Sequence, residues 1–324
     1  MTQKIPALVL AIALLALASA CGGGDDDDAE EADPGQATPA PPIAAEGTET
    51  AGGGGAPVSV VIASSGLITG ENRFTFGLLD AENQTVDGLS GSLTLFNDPQ
   101  GAPEALATYD FQFLPLEFPD PENPPDIGGI YTATVDFPGS GLYGAQITPA
   151  GSAEVTQGLR ILIEVQEEAA GVQVGDQAPS SDTPTTVTTD NIETIDSDDP
   201  PNPQLHELSI AEAVQSGRPT VVSFATPAFC TSRLCGPMVD VILNVHDEYQ
   251  DRVNFIQVEP FQLGDDGQPV LNNGAFVDGT TFAEWGLVAE PVTFIIGADG
   301  VVAYRFESIT TQDELRAALD AILA

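Results

Sequence analysis

The chain has 324 residues, of which 49 are acidic and 8 are lysine or arginine, and its formal net charge is −41. A surface this negative repels nucleic acid and acidic partners, so we expect no nucleic-acid-binding function. Three cysteines, Cys21, Cys230 and Cys235, divide the chain into a candidate N-terminal anchor and a candidate redox site.

Residues 1–20 have the pattern of an export signal, in which a lysine precedes a short apolar core and small residues lead to Cys21. The apolar core is too short for an ordinary transmembrane helix. Ala18-Ser19-Ala20-Cys21 resembles the lipobox of bacterial lipoproteins, in which the cysteine is lipidated. We therefore predict a lipid anchor at Cys21 and a protein on the extracytoplasmic face of the cell membrane. Cleavage by the ordinary signal peptidase, giving a secreted or periplasmic protein, is the alternative.

Residues 21–56 consist mainly of glycine, aspartate, alanine, proline and glutamate, with almost no large apolar side chains. A segment of this composition cannot bury a hydrophobic core. We predict that it is a disordered acidic tether.

Residues 57–168 show short apolar or alternating runs separated by Gly, Pro, Asn and Asp, which is typical of β-strands. About seven such strands in one stretch predict an all-β immunoglobulin-like sandwich. The predicted strands are 58–62, 73–79, 92–96, 108–113, 131–137, 142–148 and 159–166. No Cys, His or Met lies in this region, so it offers no soft metal site and no Cys or His nucleophile. We interpret it as a binding or spacing module.

Residues 169–204 are rich in Thr, Asp and Pro, and we predict a linker there. Within it, Val174-Gly-Asp-Gln-Ala-Pro179 resembles the opening segment of peroxiredoxins and of membrane-anchored thioredoxin-like proteins, so the next domain could begin near Val172. From residue 205 onward, helix and strand patterns alternate. Capping boxes at Ser209–Glu212 and Thr311–Glu314 open the first and last helices. This order predicts an α/β domain over residues 205–324.

Two segments of this domain carry a specific resemblance. Pro219-Thr-Val-Val-Ser-Phe-Ala-Thr-Pro-Ala-Phe-Cys230 looks like the strand that leads to the active site of thioredoxin-like proteins. Glu290-Pro-Val-Thr-Phe-Ile-Ile-Gly-Ala-Asp-Gly-Val-Val302 looks like their cis-proline strand and the hairpin that follows it. The resemblance implies a thioredoxin fold and thiol–disulfide exchange. It also implies that the Cys230–Cys235 pair is the redox centre, that Pro291 follows a cis peptide, and that this proline lies against the pair.

The sequence also departs from the family pattern. Four residues separate Cys230 from Cys235, where the family has two, and Phe229 stands where tryptophan commonly precedes the first cysteine. The family position makes Cys230 the nucleophile and Cys235 the resolving thiol. However, a helix that begins at Gly236-Pro237 would place Cys235 nearest to the positive end of the helix.

Three charged residues are candidate modulators of the pair. Arg233 lies between the cysteines and could lower the pKa of either thiol. Glu259 ends a strand that should border the site and could relay protons to a buried thiol. Glu290 precedes Pro291, a position that touches the partner in the family, and its charge would oppose thiolate formation.

The sequence thus predicts a membrane-tethered thiol–disulfide oxidoreductase that acts on protein thiols and disulfides together with a redox partner, without a cofactor or a metal. The first alternative is a non-enzymatic binding or scaffold lipoprotein with a structural disulfide. A peroxiredoxin-like peroxidase is less well supported, because Ser232-Arg-Leu-Cys235 only loosely matches the peroxidase motif. Copper delivery is disfavoured, since His206 precedes the pair and His246 follows it too closely.

Overall fold

The computed structural model describes residues 58–117, 127–150, 158–230 and 232–324. The predicted signal peptide, Cys21 and the predicted tether lie outside the described residues. No helix among the described residues is long and apolar enough to cross a membrane.

The N-terminal part is a seven-stranded antiparallel sheet with the order β1-β2-β5-β4-β3-β6-β7. Its strands are β1 (Ser59–Ile62), β2 (Gly70–Leu79), β3 (Ser90–Asn97), β4 (Glu104–Pro115), β5 (Gly129–Phe137), β6 (Gly141–Ala150) and β7 (Leu159–Val165). The long strand β4 pairs with β3 up to Phe111 and with β5 from Gln112 onward. A parallel bridge between Ile68 and Gln166 brings the two ends of the sheet together, so the sheet is nearly closed. The all-β character predicted for this region is therefore confirmed.

Alternating side chains from these strands fill one aromatic core, as the period of two along a strand requires. Phe74, Phe76, Phe111 and Tyr131 are buried in it, and the rings of Phe76 and Tyr131 stack with centroids 5.3 Å apart. The Tyr131 hydroxyl donates a hydrogen bond to the Val86 carbonyl at 2.6 Å. Burial of this polar group is thus compensated by a hydrogen bond.

The segment predicted as a linker, 169–204, is packed against the C-terminal part instead. Its backbone forms hydrogen bonds with the first residue of the last strand, with Gly175 N–H donating to the Val302 carbonyl and Val302 N–H donating to the Asp176 carbonyl, both at 2.9 Å. Ser181 is buried and accepts a hydrogen bond from the Trp285 indole at 3.0 Å. The Thr, Ser and Asp side chains that resembled a solvated linker serve here as hydrogen-bonding groups.

The C-terminal part contains a four-stranded mixed sheet of order β13-β12-β8-β9, in which β8 and β9 are parallel. Its elements in chain order are α1 (Ile210–Gln215), β8 (Thr220–Phe224), α2 (Cys235–Tyr249), β9 (Asn254–Val258), β10 (Leu271–Asn272), β11 (Ala275–Phe276), α3 (Thr280–Glu284), β12 (Val292–Ile296), β13 (Val302–Glu307) and α4 (Gln312–Leu323). Both predicted capping boxes are present, at the starts of α1 and α4.

The inner strands β8 and β12 and the edge strand β9 are buried along their whole length, because helices cover both faces of the sheet. Val221 and Ile295 pack with α2 and α4 on one face. Val222 and Phe294 pack with α1, α3 and Trp285 on the other face. Successive residues of one strand therefore serve two different cores, which explains their continuous apolar character.

The two sheets are also in contact with each other. Arg73 of β2 forms a two-point ion pair with Glu314 of α4, through Nε at 2.7 Å and Nη2 at 2.8 Å. Leu116 and Ile130 belong to the same apolar cluster as α2 and α4. The all-β part is thus packed directly on the helical face of the C-terminal part.

Candidate functional site

The two cysteines lie in the loop between β8 and α2 and at the first residue of α2. Cys230 is half-buried and Cys235 is buried, and both are free thiols. Helix α2 begins at Cys235, directly before the Gly236-Pro237 start that the sequence indicated. Pro237 did indicate that a helix begins nearby, because proline is tolerated in the first turn, where backbone N–H groups have no partner within the helix.

The sulfur of Cys230 faces the start of α2. It accepts a hydrogen bond from the Cys235 backbone N–H at 3.3 Å and lies 3.2 Å from the Ser232 hydroxyl. Leu234, at the N-cap position, makes no side-chain capping hydrogen bond, so the sulfur provides an acceptor that the helix otherwise lacks. The positive end of a helix stabilises a negative charge at this position.

These contacts lower the pKa of the Cys230 thiol to about 5. The hydrogen bond from the Cys235 thiol is the largest cause, and the Ser232 hydroxyl and the backbone of Cys235 and Leu234 add to it, against the opposing effect of burial. Cys230 is therefore a thiolate at neutral pH. A thiolate is the nucleophilic form of cysteine.

Cys235 has the opposite electrostatic environment. Burial raises its pKa far above the usual range, and the neighbouring Cys230 thiolate raises it further. Cys235 is therefore a neutral thiol that donates to the Cys230 sulfur. The arrangement is consistent with Cys230 as the attacking thiol and Cys235 as the resolving thiol, rather than the reverse order that Pro237 suggested.

Glu290 and Pro291 lie beside the pair because β12 runs antiparallel to β8, with Val292 opposite Phe224. The predicted cis peptide is present between Glu290 and Pro291. A Glu290 carboxylate oxygen and the two sulfurs all lie within 4.8 Å of one another. Burial, with a further effect of the Cys230 charge, raises the pKa of Glu290 to about 7.

Glu259 follows β9 and is buried behind the cysteine loop. Neither carboxyl oxygen has a partner of full hydrogen-bonding geometry among the described side chains and backbone. Burial raises its pKa to about 8, and the hydroxyls of Thr226 and Ser197 lie near enough to offset part of this effect. A hydrogen bond from the Thr226 backbone also lowers the pKa of the Cys235 thiol, so Thr226 lies between Glu259 and Cys235.

The third candidate modulator, Arg233, is placed differently from expectation. Its side chain is exposed, and its backbone φ is 61°, in the left-handed region. Hydrogen bonds from Cys235, Ser232 and Leu234 lower the pKa of Cys230, and Arg233 is not among these donors. The prediction that Arg233 lowers a thiol pKa is therefore not supported by the geometry.

Sequence reasoning missed the contribution of residues 196–202 to the site, because this stretch was interpreted as linker. The Ser197 hydroxyl accepts a hydrogen bond from Ala228 N–H at 3.3 Å, which attaches this segment to the cysteine loop. Behind it, buried Asp196 lies 3.2 Å from the Nε2 atom of buried His206. His206 itself is fully packed and follows a short 3-10 turn. In the sequence, the four Asp and Ser residues 196–199 before Pro200-Pro201 gave no signal of this role.

Cys230, Cys235 and Glu290 also form a set of candidate metal ligands. Thiolates favour zinc and copper(I) among biological metals. Three protein ligands would leave the fourth position of a tetrahedral zinc site open. The donor set therefore allows a soft metal, although the sequence led us to expect none.

Comparison with known proteins finds no protein-family model that matches this chain and no solved structure that matches it.

Proposed function

We propose that this protein is a thiol–disulfide oxidoreductase whose reactive group is the Cys230–Cys235 pair. The observation that carries the proposal is the contrast between two adjacent free thiols: Cys230 is half-buried and its sulfur accepts the first backbone N–H of α2 at 3.3 Å, whereas Cys235 is buried. The pKa of Cys230 is lowered and that of Cys235 is raised, in line with this contrast. A structural disulfide requires no such difference, whereas exchange requires one accessible thiolate and one protected resolving thiol.

We also propose the finer fold assignments. The sheet order β13-β12-β8-β9, with one parallel pair and helices on both faces, supports a thioredoxin fold for the C-terminal part. In the N-terminal part, β1-β2-β5 and β3-β6-β7 form two groups joined through β4. This grouping supports an immunoglobulin-like sandwich in which β4 changes from one sheet to the other.

In the proposed reaction, the Cys230 thiolate attacks one sulfur of a partner disulfide. The partner's sulfur–sulfur bond breaks, a mixed disulfide with Cys230 forms, and the first partner thiolate leaves and takes up a proton. Cys235 then loses its proton and attacks the Cys230 sulfur, which releases the second partner thiolate. Two electrons have passed from the pair to the partner, and a dithiol reductant restores the pair by the reverse steps.

The two glutamates supply the proton transfers of this scheme. Glu290 lies within 4.8 Å of both sulfurs and has a pKa of about 7, so it can protonate a departing partner thiolate. Glu259 lies behind Thr226, and its ionised form, which forms as pH rises through about 8, is placed to accept the proton of Cys235. Both carboxyl groups therefore titrate near neutral pH.

The alternatives receive less support. In a peroxidase interpretation, the motif cysteine would be Cys235, but that thiol is buried and its pKa is raised. In a scaffold interpretation, the pair would be an inert bond, and the lowered pKa of Cys230 would have no role.

We further propose that Cys21 is lipidated and holds the protein at the extracytoplasmic face of the membrane, because small residues lead to this cysteine and an acidic tether follows it.

Insulin reduction by dithiothreitol tests the proposed reaction. We expect the native protein to accelerate it, while Cys230→Ser is inactive and Cys235→Ser accumulates a mixed disulfide with insulin. Near-ultraviolet circular dichroism of each variant controls for folding. If the native protein is no faster than Cys230→Ser, and the bond resists reduction until the domain unfolds, the pair is structural and the proposed function is wrong.

A further inference from the structure

A short hairpin packs against Phe229, the residue before Cys230. Strands β10 and β11 pair with each other across Asn273 and Gly274. Backbone hydrogen bonds connect the hairpin segment to the residues that follow β9, including Gly279 N–H to the Pro260 carbonyl at 2.6 Å and Gln262 N–H to the Val277 carbonyl at 2.9 Å. The hairpin therefore has regular secondary structure and is held in place by backbone hydrogen bonds.

Aromatic side chains connect this hairpin to the residue before Cys230. The ring of Phe276 lies 6.2 Å from that of Phe229 and 5.0 Å from that of Phe261, measured between centroids. Phe276 is 39% exposed, and Leu271 on the paired strand is 59% exposed. We call Phe229, Phe261, Leu271 and Phe276 the aromatic ledge. It presents apolar side chains to solvent, and through Phe229 it adjoins the half-buried Cys230.

Apolar side chains that remain exposed next to a reactive group are typical of a binding surface. Two acidic side chains lie near this surface and the cysteine pair. Glu290 lies within 4.8 Å of the Cys230 sulfur. The negative charge of Asp278, next to the hairpin, adds to the effects that raise the pKa of Glu290. The whole chain carries a net charge of −41, so a positively charged partner is attracted and an acidic one is repelled. The chain's own residues 21–56 are acidic and poor in large apolar side chains, and they are therefore unsuited to this surface.

We propose that the aromatic ledge binds the segment around the substrate's cysteine, and that this segment is basic and carries an aromatic or large aliphatic side chain next to the cysteine. This inference rests on the proposed exchange function and names its substrate class. The ledge holds the apolar neighbour of the substrate cysteine. The acidic surroundings select lysine and arginine further along the segment.

The test uses Cys235→Ser, in which the first exchange step is isolated. The probes are short peptides with one cysteine held as a disulfide with thionitrobenzoate, so attack by Cys230 on the peptide sulfur releases the coloured thiolate. Three peptides carry Phe and Lys, Gly and Lys, or Phe and Glu beside the cysteine. The thionitrobenzoate disulfide of mercaptoethanol serves as a small reference probe.

We expect the Phe and Lys peptide to react at least ~10-fold faster than the Phe and Glu peptide in low salt, and the difference to shrink as salt screens the charges. Adding Phe276→Ser or Leu271→Ser should lower the ratio of the Phe and Lys rate to the Gly and Lys rate by about 3-fold or more. Val187→Ser, a change at an 87% exposed valine elsewhere, is the matched control and should leave this ratio unchanged.

The outcomes separate the two proposals. If the mercaptoethanol probe reacts with Cys235→Ser no faster than with a variant that also lacks Cys230, the exchange function itself is wrong. If that probe reacts but the three peptides react equally, or the ledge variants behave as Val187→Ser does, exchange stands and the substrate class inferred from the ledge is wrong.

Discussion

Cys230 and Cys235 show how one helix start can place two identical side chains in opposite protonation states. The Cys230 sulfur receives the first backbone N–H of α2 and a hydrogen bond from the other thiol, while Cys235 is enclosed by apolar side chains. Burial penalises the charged form of a group, whereas hydrogen bonds to that form favour it. The same residue type therefore serves two roles only five positions apart.

This difference predicts the pH dependence of alkylation. With the protein reduced, the rate of Cys230 alkylation by iodoacetamide should be nearly constant above pH 6 and should fall as pH drops through about 5, where the thiolate takes up a proton. Mass spectrometry after tryptic digestion separates the two cysteines. Cys235 should stay unmodified until the protein is unfolded. A Cys230 profile with a midpoint near that of ordinary thiols would contradict the assignment.

Glu259 predicts an unusual pH dependence of stability. Its folded-state pKa of about 8 lies above its ordinary value of 4.5, so the folded state binds the proton more tightly than the unfolded state. The stabilisation is complete below the unfolded-state pKa and is lost as pH rises through the folded-state pKa. Between pH 5 and 8, this group should reduce the free energy of unfolding by on the order of 2–4 kcal/mol.

The Glu259→Gln variant tests this expectation because glutamine cannot ionise. Urea unfolding between pH 5 and 8 should show a flatter dependence for this variant than for the native protein. Glu82→Gln, at an exposed turn position, is the matched control and should follow the native curve. Equal slopes for all three proteins would show that Glu259 is not held protonated.

At the scale of elements, Gly171 and Gly286 permit a close backbone crossing where the chain leaves the all-β part. Gly171 has a φ of +74°, and a Cβ there would lie 2.5 Å from the Trp285 carbonyl oxygen. Val172 N–H donates to the same oxygen at 3.0 Å. The segment can therefore reach Trp285 only if residue 171 has no side chain.

We predict that Gly171→Ala destabilises the protein by roughly 2–5 kcal/mol, the sum of a left-handed backbone penalty and a steric clash. Gly175→Ala is a matched control, because Gly175 has a φ of +94° and no atom within 4 Å of an added Cβ. The control should lose only the backbone contribution, about 1–2 kcal/mol. Urea unfolding monitored by Trp285 fluorescence measures both. Equal losses would show that the crossing is looser than described.

The elements that the sequence predicted well are those with strong periodicity. The strand patterns over 73–79 and 131–137 coincide with β2 and β5 to within a few residues, because burial of one face of a strand requires apolar residues at alternate positions of the sequence. Both capping boxes were equally readable, since their function depends on two residues at a fixed spacing.

What the sequence did not reveal depends on tertiary contacts. Ser181 and Ser197 look like linker residues until Trp285 and the cysteine loop are placed beside them. The hairpin of β10 and β11 has strands of two residues each, too short for a periodic signal. At the site, the two cysteines and Pro291 were identifiable, but the sulfur that faces the helix start was not. That arrangement depends on a helix boundary, which sequence patterns locate only to within a few residues.

For the whole molecule, the contact between the two sheets depends on few positive charges in a strongly acidic chain. Arg73 pairs with Glu314, and each side chain is 24% exposed. The hydrogen bonds and charge of Arg73 keep the pKa of Glu314 below its ordinary value even though burial raises it. This pair therefore binds β2 to α4 most strongly above the ordinary pKa of a glutamate, and the attraction weakens when acid protonates Glu314.

We predict that Arg73→Met lowers the free energy of unfolding at neutral pH by about 1–3 kcal/mol, because it leaves a partly buried carboxylate without its cation. Arg160→Met, an exposed arginine on β7, is the matched control and should change stability by less than about 0.5 kcal/mol. Urea unfolding at neutral and acidic pH measures the difference, which should shrink in acid. A difference that persists after Glu314 is protonated would indicate lost packing rather than lost charge.

Glu314 has a second role, since its carboxylate also accepts the Thr311 N–H at 3.0 Å and so caps α4. Fraying of the first turn of α4 displaces the carboxylate that Arg73 binds, and separation of the sheets removes the cation from the carboxylate that caps this helix. Local opening and separation of the two parts are thus thermodynamically linked through one carboxylate. In native-state hydrogen exchange, the amides of β2 and of α4 should therefore belong to the same cooperative unit, although some 240 residues of chain lie between them.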